Sequence, residues 1–438
     1  MPLIILAIGL LILIVLTAWL KLDAFISFMI VAVFVGLTGG MDPAGISGAI
    51  QKGIGNTLGN LAIILGFGAM LGKMVADSGA AQRISVTLID RFGKKNVQWA
   101  LMVAGFLIGV PLFYSVGFVL LVPLLFTIAF RTKTPVIFLG TPMIAALSVT
   151  HCILPPHPGP AALVHQLGAD MGKTIFWGII IAIPMMLVAG PLFALFLKKT
   201  KSDPLEIFFD RRELKTGEMP GFFNSLVTAL FPVILMMAAS AANQAGWKAG
   251  KLLSILNFAG DPSIALVLAV LLAMYTLGIR QGKKLSEISA SMIEAVKSVV
   301  MIMLAIGGAG ALMETLTGSG TNAYLASLLK DADWSPLLLG WGMAALIRIS
   351  LGSATVAGLT TAGIIAPLVI QTGINPNLMV LAVCSGSIMF SHVNDSGFWL
   401  FKEYYNLSIW DTIKTWSLME TILSVAGLGM VLILNIFI

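Results

Sequence analysis

Charge is what this sequence has least of. Only 11 % of its 438 residues are Asp, Glu, Lys or Arg, less than half the share usual in soluble domains, while 58 % are apolar. Twenty-six basic and 20 acidic side chains cannot cover the surface of a soluble chain this long. Cysteine is nearly absent as well. Cys152 and Cys384 both sit in apolar stretches, which leaves no disulfide framework and no Cys/His metal spacing. Several motifs are missing: Gly172-Lys173-Thr174 lacks the leading glycine of a phosphate-binding loop, and neither a zincin motif nor a Gly-x-Ser-x-Gly elbow occurs. No ATPase, no catalytic constellation and no cofactor site is therefore expected. The net charge of +6 comes from short loops between apolar runs, a topology signal and not a nucleic-acid surface.

What is present is a succession of apolar runs. A membrane-spanning helix needs about 20 mostly apolar residues. Leu3–Leu20, Leu22–Gly40, Ile54–Ala76, Ile175–Leu197, Phe223–Ala242, Ser263–Ile279, Val296–Leu316 and Trp416–Ile438 fit one crossing each. The first of these lacks a basic leader and a small-residue cleavage site, so it reads as a retained helix. Val97–Phe130 and Ser335–Ile370 are too long for one crossing and fit helical hairpins. Two further runs are interrupted: Pro135–Thr150 meets the proline cluster of His151–Pro160, and Pro376–Ser391 meets His392–Gly397.

The long polar connection Lys198–Gly221 suggests two halves, residues 1–197 and 223–438, joined by a cytoplasmic linker at 198–222. At one constant offset Gly66 aligns with Gly307, Ser78-Gly79 with Ser319-Gly320, Gly117 with Gly358, Pro135 with Pro376 and His151 with His392. Equivalent loops carry opposite charge character. Arg83, Arg91, Lys94 and Lys95 face a counterpart holding only Lys330, and Arg280, Lys283 and Lys284 face one with no basic residue. Most of the 26 Lys and Arg fall on the cytoplasmic side if both termini are periplasmic. The expectation is an all-α polytopic membrane protein of ten crossings, two of them broken, plus two re-entrant hairpins. This is the plan of an inverted-repeat secondary transporter.

In such transporters the substrate lies near the midplane, at breaks in helices. The hairpin tips fall near Pro111–Gly117, which includes Tyr114 and Ser115, and near Ser350–Thr355. Arg348 lies in a run with no other charge, and an unpaired guanidinium there costs at least about 2.5 kcal/mol. It must meet an anion: either a substrate carboxylate, or a fixed partner such as Glu314 or Asp395. Gly352, Ser353 and Thr355 offer a helix start and two hydroxyls, while small residues also serve simple close packing. His392, Asn394 and Asp395 concentrate polar groups between apolar runs, as a hydroxylated ligand or a proton relay needs; a loop end in water is the plain alternative. His151 can take a proton near neutral pH or bond freed backbone carbonyls. Glu314 stands at a predicted helix end, equivalent by the repeat to Lys73, and completes the set of proton-carrying candidates.

Leu351-Gly-Ser-Ala-Thr-Val-Ala357 after Arg348, Ser391-His-Val-Asn-Asp-Ser-Gly-Phe-Trp-Leu-Phe401 and Leu154-Pro-Pro-His-Pro-Gly-Pro160 resemble the gluconate permease (gluconate:H⁺ symporter) family. Gly66-Phe-Gly-Ala-Met-Leu-Gly-Lys73 and Thr412-Ile-Lys-Thr-Trp416 fit it too, and the resemblance runs end to end. It implies a bacterial inner-membrane symporter that imports gluconate or a related sugar acid with protons, in a lipid bilayer, and frequently as a homodimer. It implies that Arg348, Gly352, Ser353, Thr355, His392, Asn394 and Asp395 line the site. Carriers of idonate, fructuronate and D-serine share these motifs, and a sodium-coupled carboxylate carrier is the rival class. One departure stands out. Relatives often read Phe-Tyr-Glu-Val-Gly-Phe where this chain has Phe113-Tyr-Ser-Val-Gly-Phe118, so Ser115 cannot carry a proton.

Overall fold

The computed structural model describes residues 2–93, 96–155, 157–200, 202, 214, 217–245, 247, 249–321, 335–393 and 395–438. Among them all regular structure is helical. Asn394, Lys94, Lys95, Lys330 and most of the 198–222 linker lie outside the described residues. Among the described residues, seven helical runs are long and apolar enough to cross a membrane, or eight with one bent helix counted as a single span.

The first part of the chain forms α1 (Pro2–Ile14), α2 (Ala24–Thr38), α3 (Pro43–Asp77), α4 (Ala80–Phe92), α5 (Val97–Gly109), α6 (Tyr114–Thr132), α7 (Val136–Ile153), α8 (Pro158–Gln166) and α9 (Met171–Leu187). The second part forms α10 (Phe222–Gln244), α11 (Lys251–Gly260), α12 (Pro262–Ala273), α13 (Leu285–Gly318), α14 (Pro336–Leu351), α15 (Ala354–Thr372), α16 (Pro376–Gly386), α17 (Ser396–Tyr404), α18 (Ile409–Thr412) and α19 (Leu418–Phe437). A π turn at Ile413–Ser417 joins α18 to α19.

Hydropathy placed two helix starts too late. The expected run Ile54–Ala76 is the second part of the 35-residue α3, and Val296–Leu316 lies within the 34-residue α13. For α3 the reason is local: Asp42 caps it by accepting from the Gly45 amide at 2.8 Å and Pro43 fits its first turn, so the helix starts well before the apolar run. α3 bends by 42° between Gly59 and Leu61.

α3 and α13 form the most extensive helix pair. Lys52 pairs with Glu314, Gly53 backs onto Gly310, Leu58 onto Gly307, Ala69 clusters with Ala295, and Lys73 reaches Glu294 at 3.8 Å. One index rises as the other falls, so the helices run antiparallel. The glycines are what let them touch: a Cβ on Gly310 would lie 2.1 Å from the Thr57 hydroxyl and 2.6 Å from the Gly53 carbonyl.

The two over-long runs each fold as two packed helices. Val97–Phe130 becomes α5 and α6, with the break at residues 110–113, and Ser335–Ile370 becomes α14 and α15, with the break at Gly352-Ser353. The interrupted runs become α7–α8 and α16–α17. Leu154 ends α7 in extended backbone (φ −98°, ψ 121°), as a residue before proline must. His151, expected in this break, belongs to the last turn of α7 instead. α5 packs on α7, α14 on α16, and α15 on α8, so all four breaks gather in one region.

Filling the α3–α13 contact gives a direct check. Gly310→Leu should lower the unfolding free energy by about 1–3 kcal/mol or more through overpacking. Gly55→Ala, whose Cβ meets nothing within 4 Å, should be neutral or stabilising. Thermal unfolding in detergent would separate the two; equal midpoints would contradict tight packing at this crossing.

Candidate functional site

α14 ends because Gly352 turns left-handed (φ +78°), its N–H closing onto the Arg348 carbonyl at 3.0 Å. Ser353 then caps α15, its hydroxyl accepting from the Val356 amide at 3.3 Å. Arg348 therefore sits in the last turn of a helix that stops inside the protein, and it is only 3 % exposed.

Its partner is Asp395, the N-cap of α17. Arg348 Nη2 donates to Asp395 Oδ2 at 2.5 Å, while the Gly397 amide donates to Oδ1 at 3.0 Å. The Ser391 hydroxyl donates to Oδ2 as well, and accepts from Trp416 Nε1 at 2.8 Å. The Ser417 hydroxyl holds the Ser391 carbonyl. Thus the π turn before α19 anchors the break at residues 387–395, and that break presents Asp395 to Arg348. Of the two fixed partners weighed for Arg348, the structure selects Asp395. Glu314 is ion-paired with Lys52 on the α3–α13 pair.

Arg348 is only partly satisfied. Its Nε and Nη1 are buried and have no hydrogen-bond partner. A guanidinium carries five N–H donors in a planar fork, and leaving buried ones unmade is costly. Asp395 takes Nη2, and Nε and Nη1 are bare.

The other named residues surround this pair. His392 Nε2 bonds the Ile349 carbonyl at 2.9 Å, and His157 Nε2 bonds the Gly109 carbonyl at 2.8 Å. Each histidine thereby bonds a carbonyl in the last turn of the first helix of a hairpin. His151 faces the rings of His157 (5.0 Å) and Phe113 (6.3 Å), with its Nδ1 buried and unpartnered. Tyr114 opens α6, its ring 5.5 Å from that of Trp416 and its hydroxyl buried without a partner. Ser115 is exposed. Thr355 lines a small cavity with His151, Cys152, Gly159, Pro160, Leu163, Ala354, Cys384 and Ser387. Arg348 and Asp395 act electrostatically on Cys152, and Asp395 on His151, two of the residues lining that cavity.

One residue of this region is not among those singled out from the sequence. Glu420, in α19, is 3 % exposed, hydrogen-bonded to Ser148 of α7, and in Coulombic range of Arg348, Asp395, Tyr114 and Cys152. The signal that could have found it is an acid standing inside the apolar run Trp416–Ile438.

A family model described as GntP family permease matches residues 1–437. Among curated proteins, a high-affinity gluconate transporter of Escherichia coli (strain K12) is 50 % identical over 438 residues, covering all of both chains. The Gnt-II system L-idonate transporter of the same strain is 47 % identical, covering 99 % of each chain. A gluconate permease of Bacillus subtilis (strain 168) is 45 % identical, again covering all of both. Among solved structures, the YdaH transporter of Alcanivorax borkumensis superposes with a TM-score of 0.68 at 17 % identity, covering 94 % of this chain and 97 % of that one. MtrF of Neisseria gonorrhoeae gives 0.68 at 14 %, covering 93 % and 94 %. At such identities the likeness concerns the fold.

Ser391 is the joint of the network, so removing its hydroxyl strands both Trp416 Nε1 and one Asp395 contact. Ser391→Ala should cost about 1–3 kcal/mol of stability. Thermal unfolding measures it, and an unchanged midpoint would mean that the Trp416–Ser391–Asp395 chain holds nothing in place.

Proposed function

Because the chain belongs to the GntP family of permeases, a family of transport proteins and not of enzymes, we propose that it imports gluconate or a closely related sugar acid together with protons. The observation that carries the substrate class is the bare part of Arg348, Nε and Nη1, buried without a partner and able to donate to a carboxylate. The names of the relatives agree with this chemistry: two 45–50 % identical proteins are named for gluconate and one for L-idonate.

In this reading a carboxylate oxygen accepts from one of the bare nitrogens of Arg348, Nε or Nη1, while Asp395 holds Nη2 and with it the guanidinium plane. Hydroxyls of the sugar acid then meet Thr355, Ser353, Asn394 and the edge of Tyr114. Gly352 keeps the backbone close at the break. His151, His392, Asp395 and Glu314 are the groups named from sequence as able to carry the coupled proton. Glu314 stands apart from the cavity with Lys52, which makes it the weakest of the four.

The transport cycle rests on two halves inserted in opposite senses. Support comes from the antiparallel α3–α13 pair. Under the sequence repeat α3 and α13 are equivalent, and the contacts exchange accordingly. Lys52–Glu314 near one end answers Lys73–Glu294 near the other, and Gly53–Gly310 answers Ala69–Ala295. A two-fold axis across the crossing would produce this pattern. Re-entrant hairpins, periplasmic termini, an inner-membrane location and a homodimer complete the proposal.

Uptake of labelled gluconate into proteoliposomes, with and without an inward proton gradient, tests the reading. Gradient-driven accumulation is expected. Arg348→Ala should abolish it, and Arg348→Lys should recover only a small part, since a lysine keeps the charge but not the fork. Full uptake by Arg348→Ala would remove Arg348 from the substrate site.

A further inference from the structure

Glu420 is an acid buried in the middle of the protein, and neither the architecture nor the carboxylate site accounts for it. It lies in the first turn of α19, which packs against α16, α9, α7 and α14. None of the ion pairs among the described residues includes it. Its one hydrogen-bond partner is the Ser148 side chain, and its Oε1 is buried with no partner at all. An ionisable group held this way within an apolar bundle is costly to keep, and a purely structural role is served better by an apolar residue.

We infer that Glu420 is the residue that binds and releases the coupled proton. This rests on the proton-symport reading above and deepens it. Ser148 can donate to a carboxylate or accept from a carboxylic acid, so Glu420 keeps a partner in both states. The alternatives lack this property. Both oxygens of Asp395 are taken by donors from Arg348, Ser391 and Gly397. The Nε2 of His392 is engaged by the Ile349 carbonyl, and His151 has only rings against it and a bare Nδ1.

Coupling follows from the charges that face Glu420. These are Arg348 from α14, Asp395 from the break before α17, Tyr114 from α6 and Cys152 from α7. Arg348 and Asp395 cancel. An incoming carboxylate makes the site negative, and an ionised Glu420 beside it would double that charge in a buried space. Substrate and proton therefore favour each other's binding, and reciprocally so. The proton enters by forming one O–H bond at Glu420 and leaves by breaking it to water, with the electron pair kept on the carboxylate.

The test compares wild type and Glu420→Gln in proteoliposomes loaded with gluconate, measuring proton-driven accumulation and gluconate exchange. The expected result is that wild type accumulates gluconate under an inward proton gradient. Glu420→Gln should lose accumulation while exchange continues and no longer varies with pH. Wild-type accumulation matched by Glu420→Gln would overturn the assignment and leave the symport reading intact. Wild-type uptake indifferent to protons would overturn both. If Glu420→Gln exchanges nothing, Ser148→Ala decides. Loss of a donor to the carboxylate should move the pH profile of uptake to higher pH, and an unmoved profile would overturn the assignment.

Discussion

A guanidinium in an apolar bundle with one nitrogen paired and two bare is the constraint around which the centre of this protein is arranged. Breaking a buried ion pair by removing one partner costs about 3–5 kcal/mol, so Arg348 and Asp395 must be presented to each other reliably. Four features do so. Gly352 stops α14 just past Arg348, and Asp395 caps α17; Ser391 grips the carboxylate, and Trp416 with Ser417 grips Ser391. The pairing leaves Nε and Nη1 unused. In the reading proposed above, those bare donors are what the substrate carboxylate meets.

The surrounding scaffold is of a different kind. α3 and α13 meet through glycines and alanines with ion pairs near both ends, and that contact makes no use of the polar residues of the centre. The division of labour fits the comparisons. Transporters sharing only 14–17 % of residues keep the fold at a TM-score of 0.68, while relatives at 45–50 % share the family. The helical frame thus tolerates wide sequence change, while the reading proposed above puts function in the few side chains at the breaks.

Much of this was legible in the chain because it is written locally. The over-long apolar runs, the Gly352-Ser353 break, the proline cluster after His151 and the need of Arg348 for an anion all follow from neighbouring residues. What was not legible depends on residues far apart. Nothing near Arg348 says that Asp395 and not Glu314 answers it, because that choice is made by how α14 meets the 387–395 break. Glu420 escaped notice because one acid barely alters the hydropathy of a long apolar run. α3 and α13 start before the apolar runs because their first turns mix polar and small residues, and hydropathy reports apolar length, not where a helix is capped.

Calorimetric binding of gluconate to the purified protein, set against sorbitol as its uncharged counterpart, tests most directly whether the Arg348 fork is the carboxylate site. The two ligands offer similar hydroxyls and differ in the carboxylate. Gluconate should bind and sorbitol should not, with gluconate binding lost in Arg348→Ala. Comparable binding of both ligands, or gluconate binding indifferent to Arg348, would contradict a site built on that guanidinium.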